Sequence, residues 1–379
     1  MRKALVLALA VLCAAAVAAT ALGKSEKPVQ KGLAFDHAFV IMLENHGKAS
    51  IFGDPNTPYI SSLTTKYASA PNYYGVTHPS EPNYVALISG SNWGMNDDNP
   101  ANTFDHTNIA DQLDASHLTW NGYMENLPSA GDVTDAQYPA NAALYVKKHD
   151  PFALFPDIAS SSARAKNIKP LTDLTHDLKS GEVGNFALIV PNQCHDMHGG
   201  VYSKVASDGS DGTPCPYGST NDDANDVALK QKADAFVKQW VEAITSSKVW
   251  KSSRVAIFVV ADEADYDGTT STDGWADTSG CCDSPYLPAG TQFLGSNGQP
   301  DGNTWGGGVY GGGKVGAAVI TNSGRADGFA SSNSYNHYSL LATVEWNWGL
   351  PYLGNASDTR QVQPMTDFFP VKKSSSDKK

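Results

Sequence analysis

Three apolar runs, each ending abruptly in acidic or histidine-bearing residues, constrain this chain more than any other feature. Ala34–Leu43 runs into Glu44-Asn45-His46, Asn185–Val190 into a segment holding His195, Asp196 and His198, and Val255–Val260 into Ala261-Asp262-Glu263. Such runs, with little polar alternation, suit strands buried on both faces, the habit of parallel sheets. Between them the pattern alternates. Thr57–Ala68 and Ala224–Thr245 have helical spacing, as does a stretch near Asp157, while Ser69–Val76 and Leu118–Met124 look extended. Lys314–Thr321 predicts a last strand and Ser339–Trp348 a closing helix. The alternation predicts an α/β domain, a mostly parallel central sheet flanked by helices. Ligands of such sheets gather at the carboxyl ends of the strands, so the three polar clusters have one place to meet.

A fourth stretch, Tyr74–Gly90, brings a hydroxyl to the same question. In His78-Pro79-Ser80-Glu81-Pro82-Asn83-Tyr84 a serine sits between two prolines, just ahead of the apolar segment Tyr84–Ser89, which starts a helix. Each proline fixes its own φ and steers the preceding residue away from helix. Ser80 is thus expected on a stiff turn at a helix start, where backbone N–H groups and the helix dipole favour an anion such as phosphate. The plain alternative is a capping serine in a proline-rich turn.

The ends and the charge set the boundaries. Met1–Ala21 has a short basic start, an apolar segment Leu5–Ala18 and small-residue cleavage sites, the make-up of a signal peptide, so a secreted protein without a membrane span is expected. Residues 32–368 are expected to form one domain with an irregular insertion at about 265–313, and residues 369–379 a disordered tail. A net charge of −12 argues against an electrostatic nucleic-acid binder. Beyond Cys13, four cysteines remain: Cys194, Cys215, Cys281 and Cys282. Pairing Cys194 with Cys215 forces a vicinal bridge on the other two, so the crossed pairings are favoured.

Three carboxylates in one crevice, Glu44, Asp262 and Glu263, repel one another unless protons or a cation intervene. With Asn45 and Ser80 they make an oxygen-rich ligand set for one divalent metal ion of unspecified identity. A metal-bound Ser80 hydroxyl becomes a nucleophile near neutral pH. His198 and His337 are candidates to contact phosphate or protonate the leaving group, and Asp196 to face substrate or orient His198. His106, His117, His176 and His195 are given no site role. Ser207–Gly212 and Asp265–Asp273 hint at calcium but lack an EF-hand pattern.

Taken together, the stretches FVIMLENH (39–46), GVTHPSEPNYVALISG (75–90), VPNQCHDMHGG (190–200), VVADEADYDG (259–268) and YNHYSLLATVEWNWGL (335–350) resemble the phosphoesterase family of secreted acid phosphatases and non-haemolytic-type phospholipases C. The resemblance implies an alkaline-phosphatase-like α/β sandwich with one catalytic metal and Ser80 as nucleophile. It implies Glu44, Asn45 and Asp262 as metal ligands, Glu263 beside them, and His198 and His337 near the phosphate. His149, in Lys147-Lys148-His149-Asp150-Pro151-Phe152, falls in a further segment of the family and is assigned to substrate. Ala264 stands where phospholipase-like members tend to carry histidine, which leans the chain toward the acid-phosphatase branch. The expected function is phosphomonoester hydrolysis through a phosphoseryl intermediate. The alternatives are a phospholipase C and an inactive surface- or carbohydrate-binding protein on the same scaffold. The partner is a phosphomonoester or phospholipid substrate, and the oligomeric state is left open.

Overall fold

The computed structural model describes residues 33–202, 214–218, 222–265, 277–294 and 300–370. The expected signal peptide, the loop runs 207–212 and 266–273, and the tail from residue 371 lie outside the described residues.

Among the described residues one eight-stranded sheet forms the centre. Its strands are β1 (His37–Leu43), β2 (Ala68–Ala70), β3 (Trp120–Met124), β4 (Ile168–Pro170), β5 (Phe186–Val190), β6 (Val255–Ala261), β7 (Ala317–Thr321) and β8 (Phe329–Ala330). They lie in the order β8-β2-β7-β6-β1-β5-β3-β4, and only β7 runs against the rest. β1 is central, with Val40 opposite Leu188 on one side and Phe258 on the other. The apolar runs thus fold as predicted. β3, β5 and β6 are buried along their whole length, as a sheet covered on both faces requires.

The helices fall into two groups. α1 (Pro58–Lys66) and α4 (Asp173–Ser180) pack on the long α5 (Ala224–Ser246). α2 (Ser80–Ser89) packs on α3 (Ile109–Ala115) and α6 (His337–Trp348). α5 is anchored through a buried charge cluster in which Lys230 Nζ lies 2.8 Å from Asp226 and 3.0 Å from each of Asp54 and Asp222.

Four expectations change. The single strand expected over Ser69–Val76 is broken at Pro71, which has no N–H to give the ladder. β2 stays in the main sheet, while Tyr73–Tyr74 pairs separately with Tyr335–Asn336. The crossed disulfides are not formed. Cys194 pairs with Cys215 and Cys281 with Cys282. An antiparallel bridge between Val201 and Cys215 folds the first loop back on itself and brings Cys194 and Cys215 to a Cα separation of 5.5 Å. The second pair is held apart from it, where Asn336 Nδ2 donates to the carbonyls of Cys281 and Cys282. Finally, the fold extends past residue 368, because Phe369 is buried against Phe35 and Phe258. Within 265–313 the described residues are not wholly irregular: Tyr286–Leu287 pairs with Gly308–Val309, and Gln292–Leu294 with Pro300–Thr304.

Candidate active site

The polar clusters meet where the fold predicts, beyond the ends of β1, β5 and β6. Glu44 and Asn45 leave β1, Asp262 and Glu263 leave β6, and the backbone N–H of Glu44 donates to the carbonyl of Asp196, in the loop after β5 (2.8 Å). Asp262 Oδ1 accepts from the backbone N–H groups of Asn45 (3.1 Å) and Glu263 (2.6 Å), locking the two strand ends together.

Ser80 is brought in by its own turn. Asn83 Oδ1 accepts from the N–H groups of Val76 and Thr77, and its amide donates to the carbonyls of Thr77 and Pro79. The His78–Pro79 peptide is cis. Helix α2 starts at Ser80 itself, four residues before the expected start, and every residue of it is buried. Gly75 lets this turn approach closely: a Cβ there would lie 2.6 Å from the carbonyl oxygen of Asp262. The result puts Ser80 Oγ 2.9 Å from Glu44 Oε2 and 3.1 Å from Glu263 Oε1.

The histidines divide. His149 reaches Glu44 Oε1 at 3.3 Å and Asp196 Oδ2 at 3.7 Å, and its ring stacks on Tyr84. His198 Nδ1 donates to the carbonyl of Gly199 (3.1 Å), so its Nε2 is the acceptor for Lys148 Nζ at 3.4 Å. Asp196 Oδ1 accepts from the His198 backbone N–H, so it shapes this loop. His337 lies differently: its Nε2 meets the carbonyl of Asp262 (2.6 Å) and its Nδ1 the Tyr73 hydroxyl (3.1 Å). With both nitrogens engaged, His337 braces the strand end that carries Asp262.

Electrostatics point to a site short of positive charge. Burial, and after it the charge of Asp262, pushes the Glu44 carboxyl well above its usual range. Burial and then the neighbouring Glu263 do the same to Asp262. Asp196 is raised by burial and by Glu44, and Glu263 by burial although His78 opposes it. Burial, with Lys148 beside it, lowers His198 to about 3, and burial alone lowers His337 to about 4. Lys148 keeps its proton: burial opposes the charge, but Asp98 at 2.7 Å and nearby Glu44 raise its pKa.

Several buried atoms find no hydrogen-bond partner: Glu44 Oε1, Asn45 Oδ1, Asp196 Oδ2 and Asp262 Oδ2. Unpaired buried oxygens on mutually repelling carboxylates are what a divalent cation relieves, so the residues fit a metal. Of the oxygen donors, Glu44 lies against Ser80 and Asp262 is tied to the backbone of Asn45, while Glu44, His149 and His198 offer ligand atoms within 4.8 Å of one another. Of Glu44, Asp196, Asp262 and Glu263, only Glu263 has both oxygens paired, one accepting from Ser80 and the other from His78. Lys148, Asp98 and His78 were not given roles from sequence. His78 lies inside the serine motif and Lys148 beside His149, but only the fold shows what they face.

Comparisons with known proteins find relatives along most of the chain. The model of the Phosphoesterase family matches residues 50–210 and 215–351. An acid phosphatase of Aspergillus fumigatus is 26% identical over 86% of this chain and 57% of its own length. A phosphatidylinositol-3-phosphatase of Mycobacterium tuberculosis is 24% identical over 88% of this chain and 83% of its own. The chain spans about half the length of the fungal relatives it matches. A solved protein of the alkaline phosphatase superfamily from Vibrio parahaemolyticus superposes with a TM-score of 0.46 at 12% identity, over 85% of this chain and 68% of that one.

Proposed function

The chain belongs to the phosphoesterase family, and from that membership and the cleft geometry we propose a metal-dependent phosphoric-ester hydrolase that acts on phosphomonoesters. The observation that carries it is a buried serine hydroxyl within 3.1 Å of two carboxylates, on elements that also hold unpaired oxygen donors.

Glu44, Asn45 and Asp262 would hold the cation next to Ser80, with Glu263 beside them. When bound, a divalent cation supplies the positive charge that acidifies the alcohol and offsets charge on the phosphoryl oxygens. Ser80 Oγ attacks phosphorus and its proton has two acceptors in reach, Glu44 Oε2 and Glu263 Oε1. As the bond from Ser80 Oγ to phosphorus forms, the bond from phosphorus to the ester oxygen breaks, and the leaving group departs as its alcohol with the proton that Ser80 gave up. Water then cleaves the phosphoseryl intermediate to inorganic phosphate and restores the Ser80 hydroxyl. His149 and His198, both neutral, line the space where phosphate would sit. The acid phosphatase and phosphatidylinositol-3-phosphatase among the relatives favour monoesters, one of them lipid-borne. Both cysteine pairs are oxidised, which supports export to an oxidising compartment.

Chelation is the first test. A chromogenic phosphomonoester should be hydrolysed by metal-loaded protein, lose at least about 95% of its turnover on chelation, and regain it with a divalent cation. Full activity after exhaustive chelation would contradict the proposal.

Lys148 gives a sharper expectation. Its ammonium, on a half-buried side chain, faces His198 and matches the second negative charge that a monoester carries and a diester lacks. Lys148→Gln should lower kcat/KM for a phosphomonoester by about 100-fold or more, in keeping with a lost charge-assisted contact. The matching diester should change much less. Equal losses on both substrates would assign Lys148 a purely structural role.

A further inference from the structure

A file of aromatic rings leads out of the candidate site. Tyr84 stacks on His149 with centroids 5.1 Å apart, the His149 ring meets His198 at 5.5 Å, and His198 meets Tyr217 at 5.1 Å. Tyr202 continues the file at 6.3 Å from Tyr217. Exposure rises along it, from 0% at Tyr84 and 2% at His149 through 8% at His198 to 48% at Tyr217 and 67% at Tyr202. The inner rings therefore belong to the cleft, where His149 reaches Glu44 and His198 faces Lys148, and the outer two stand in water at its mouth. Large rings left in water beside a cleft are explained by a ligand that covers them.

Tyr217 is held from several sides. The Cys194–Cys215 disulfide and the backbone bridge between Val201 and Cys215 close the chain two residues before it. Asn225 Nδ2, in the first turn of α5, donates to the Tyr217 carbonyl (3.1 Å). The ring lies against Gly200, where φ is +89° and a Cβ would stand 2.8 Å from Tyr217 Cζ. A side chain at that position would push the ring away, so the glycine is what lets Tyr217 lie beside His198.

We propose that Tyr217, with Tyr202 beside it, is the platform for the leaving group and selects phosphomonoesters of flat aromatic alcohols. This rests on the hydrolase reading, which puts phosphate against His198 and Lys148. From there the Tyr217 ring is the next surface outward, and a phenyl leaving group packs against it in the offset or edge-on arrangements that aromatic pairs prefer. A methyl or ethyl leaving group offers the ring nothing to stack. The contact lies away from phosphorus and is made alike in ground state and transition state, so it acts on KM rather than on kcat.

Two readouts separate this proposal from the hydrolase reading. In calorimetry on the metal-loaded native chain, benzylphosphonate should bind about tenfold more tightly than methylphosphonate, and Tyr217→Ala should erase the difference. In turnover, Tyr217→Ala should raise KM for phenyl phosphate about tenfold, while kcat/KM for ethyl phosphate falls less than about threefold. Tyr217→Phe, which keeps the ring, should recover most of the phenyl phosphate KM. Circular dichroism checks the fold of each variant, and the native phosphonate comparison needs no variant. Equal affinity of the two phosphonates for the native chain, or a Tyr217→Ala loss shared equally by the phenyl and ethyl esters, would overturn the platform. Phosphonate selectivity that Tyr217→Ala abolishes, in a protein that turns over neither ester, would contradict the hydrolase reading while upholding the ring contact.

Discussion

Ser80→Ala is expected to cut phosphomonoester turnover by at least about 10³-fold while leaving the protein folded, as loss of a covalent nucleophile does elsewhere. The hydroxyl, with one proton to give, lies 2.9 Å from Glu44 Oε2 and 3.1 Å from Glu263 Oε1, so its removal takes away a polar contact within the cleft. Alanine suits the first turn of a helix, and Asn83 continues to hold the preceding loop through its four hydrogen bonds. The variant should therefore melt near the native temperature and still bind phosphate. Retention of more than about a tenth of native turnover would mean that another group attacks phosphorus.

The second large effect concerns stability. Lys230→Met should lower the unfolding free energy by about 3–5 kcal/mol, measured by urea denaturation at neutral pH. Lys230 is buried and lies between Asp54 and Asp226, which are also buried, so its removal strips the ammonium from Asp54 and leaves Asp226 to its His46 contact. Asp222 is largely exposed and contributes little. The pH dependence carries its own sign. Burial opposes ionisation of Asp226, but the His46 and Lys230 contacts outweigh it and hold the carboxyl at about 2, below its unfolded value. That stabilisation is present in full above a pH of about 4 and disappears as pH falls through about 2. In the variant the loss across this acid window should be shallower. A variant as stable as the native chain would show that these carboxylates find other partners.

Much of this was legible in sequence, and the reasons are local. Buried parallel strands announce themselves as apolar runs, so β1, β5 and β6 and the acids following them could be placed before any coordinates. The serine turn was legible because two prolines bracket it. What escaped depends on contacts between segments far apart in the chain. His78 meets Glu263 and Lys148 meets Asp98 only after the turn, the loop and the strand end have folded together. His337 appeared as a phosphate contact, yet its register beside Tyr73 turns both ring nitrogens to structural partners. The cysteine pairing failed for a similar reason. The Val201–Cys215 bridge closes the first loop on itself, and no spacing rule reports that. His195 carries no signal in sequence because its partner, Glu125, comes from a different strand end.

The most direct test of the central claim is to trap the reaction in acid and map where phosphate resides. Metal-loaded protein mixed with a chromogenic phosphomonoester and quenched early should release a burst of leaving group. The peptide containing Ser80 should carry the phosphate, and the label should vanish in Ser80→Ala. Robust turnover with no phosphopeptide at any quench time, or with phosphate on a different residue, would contradict Ser80 as the nucleophile.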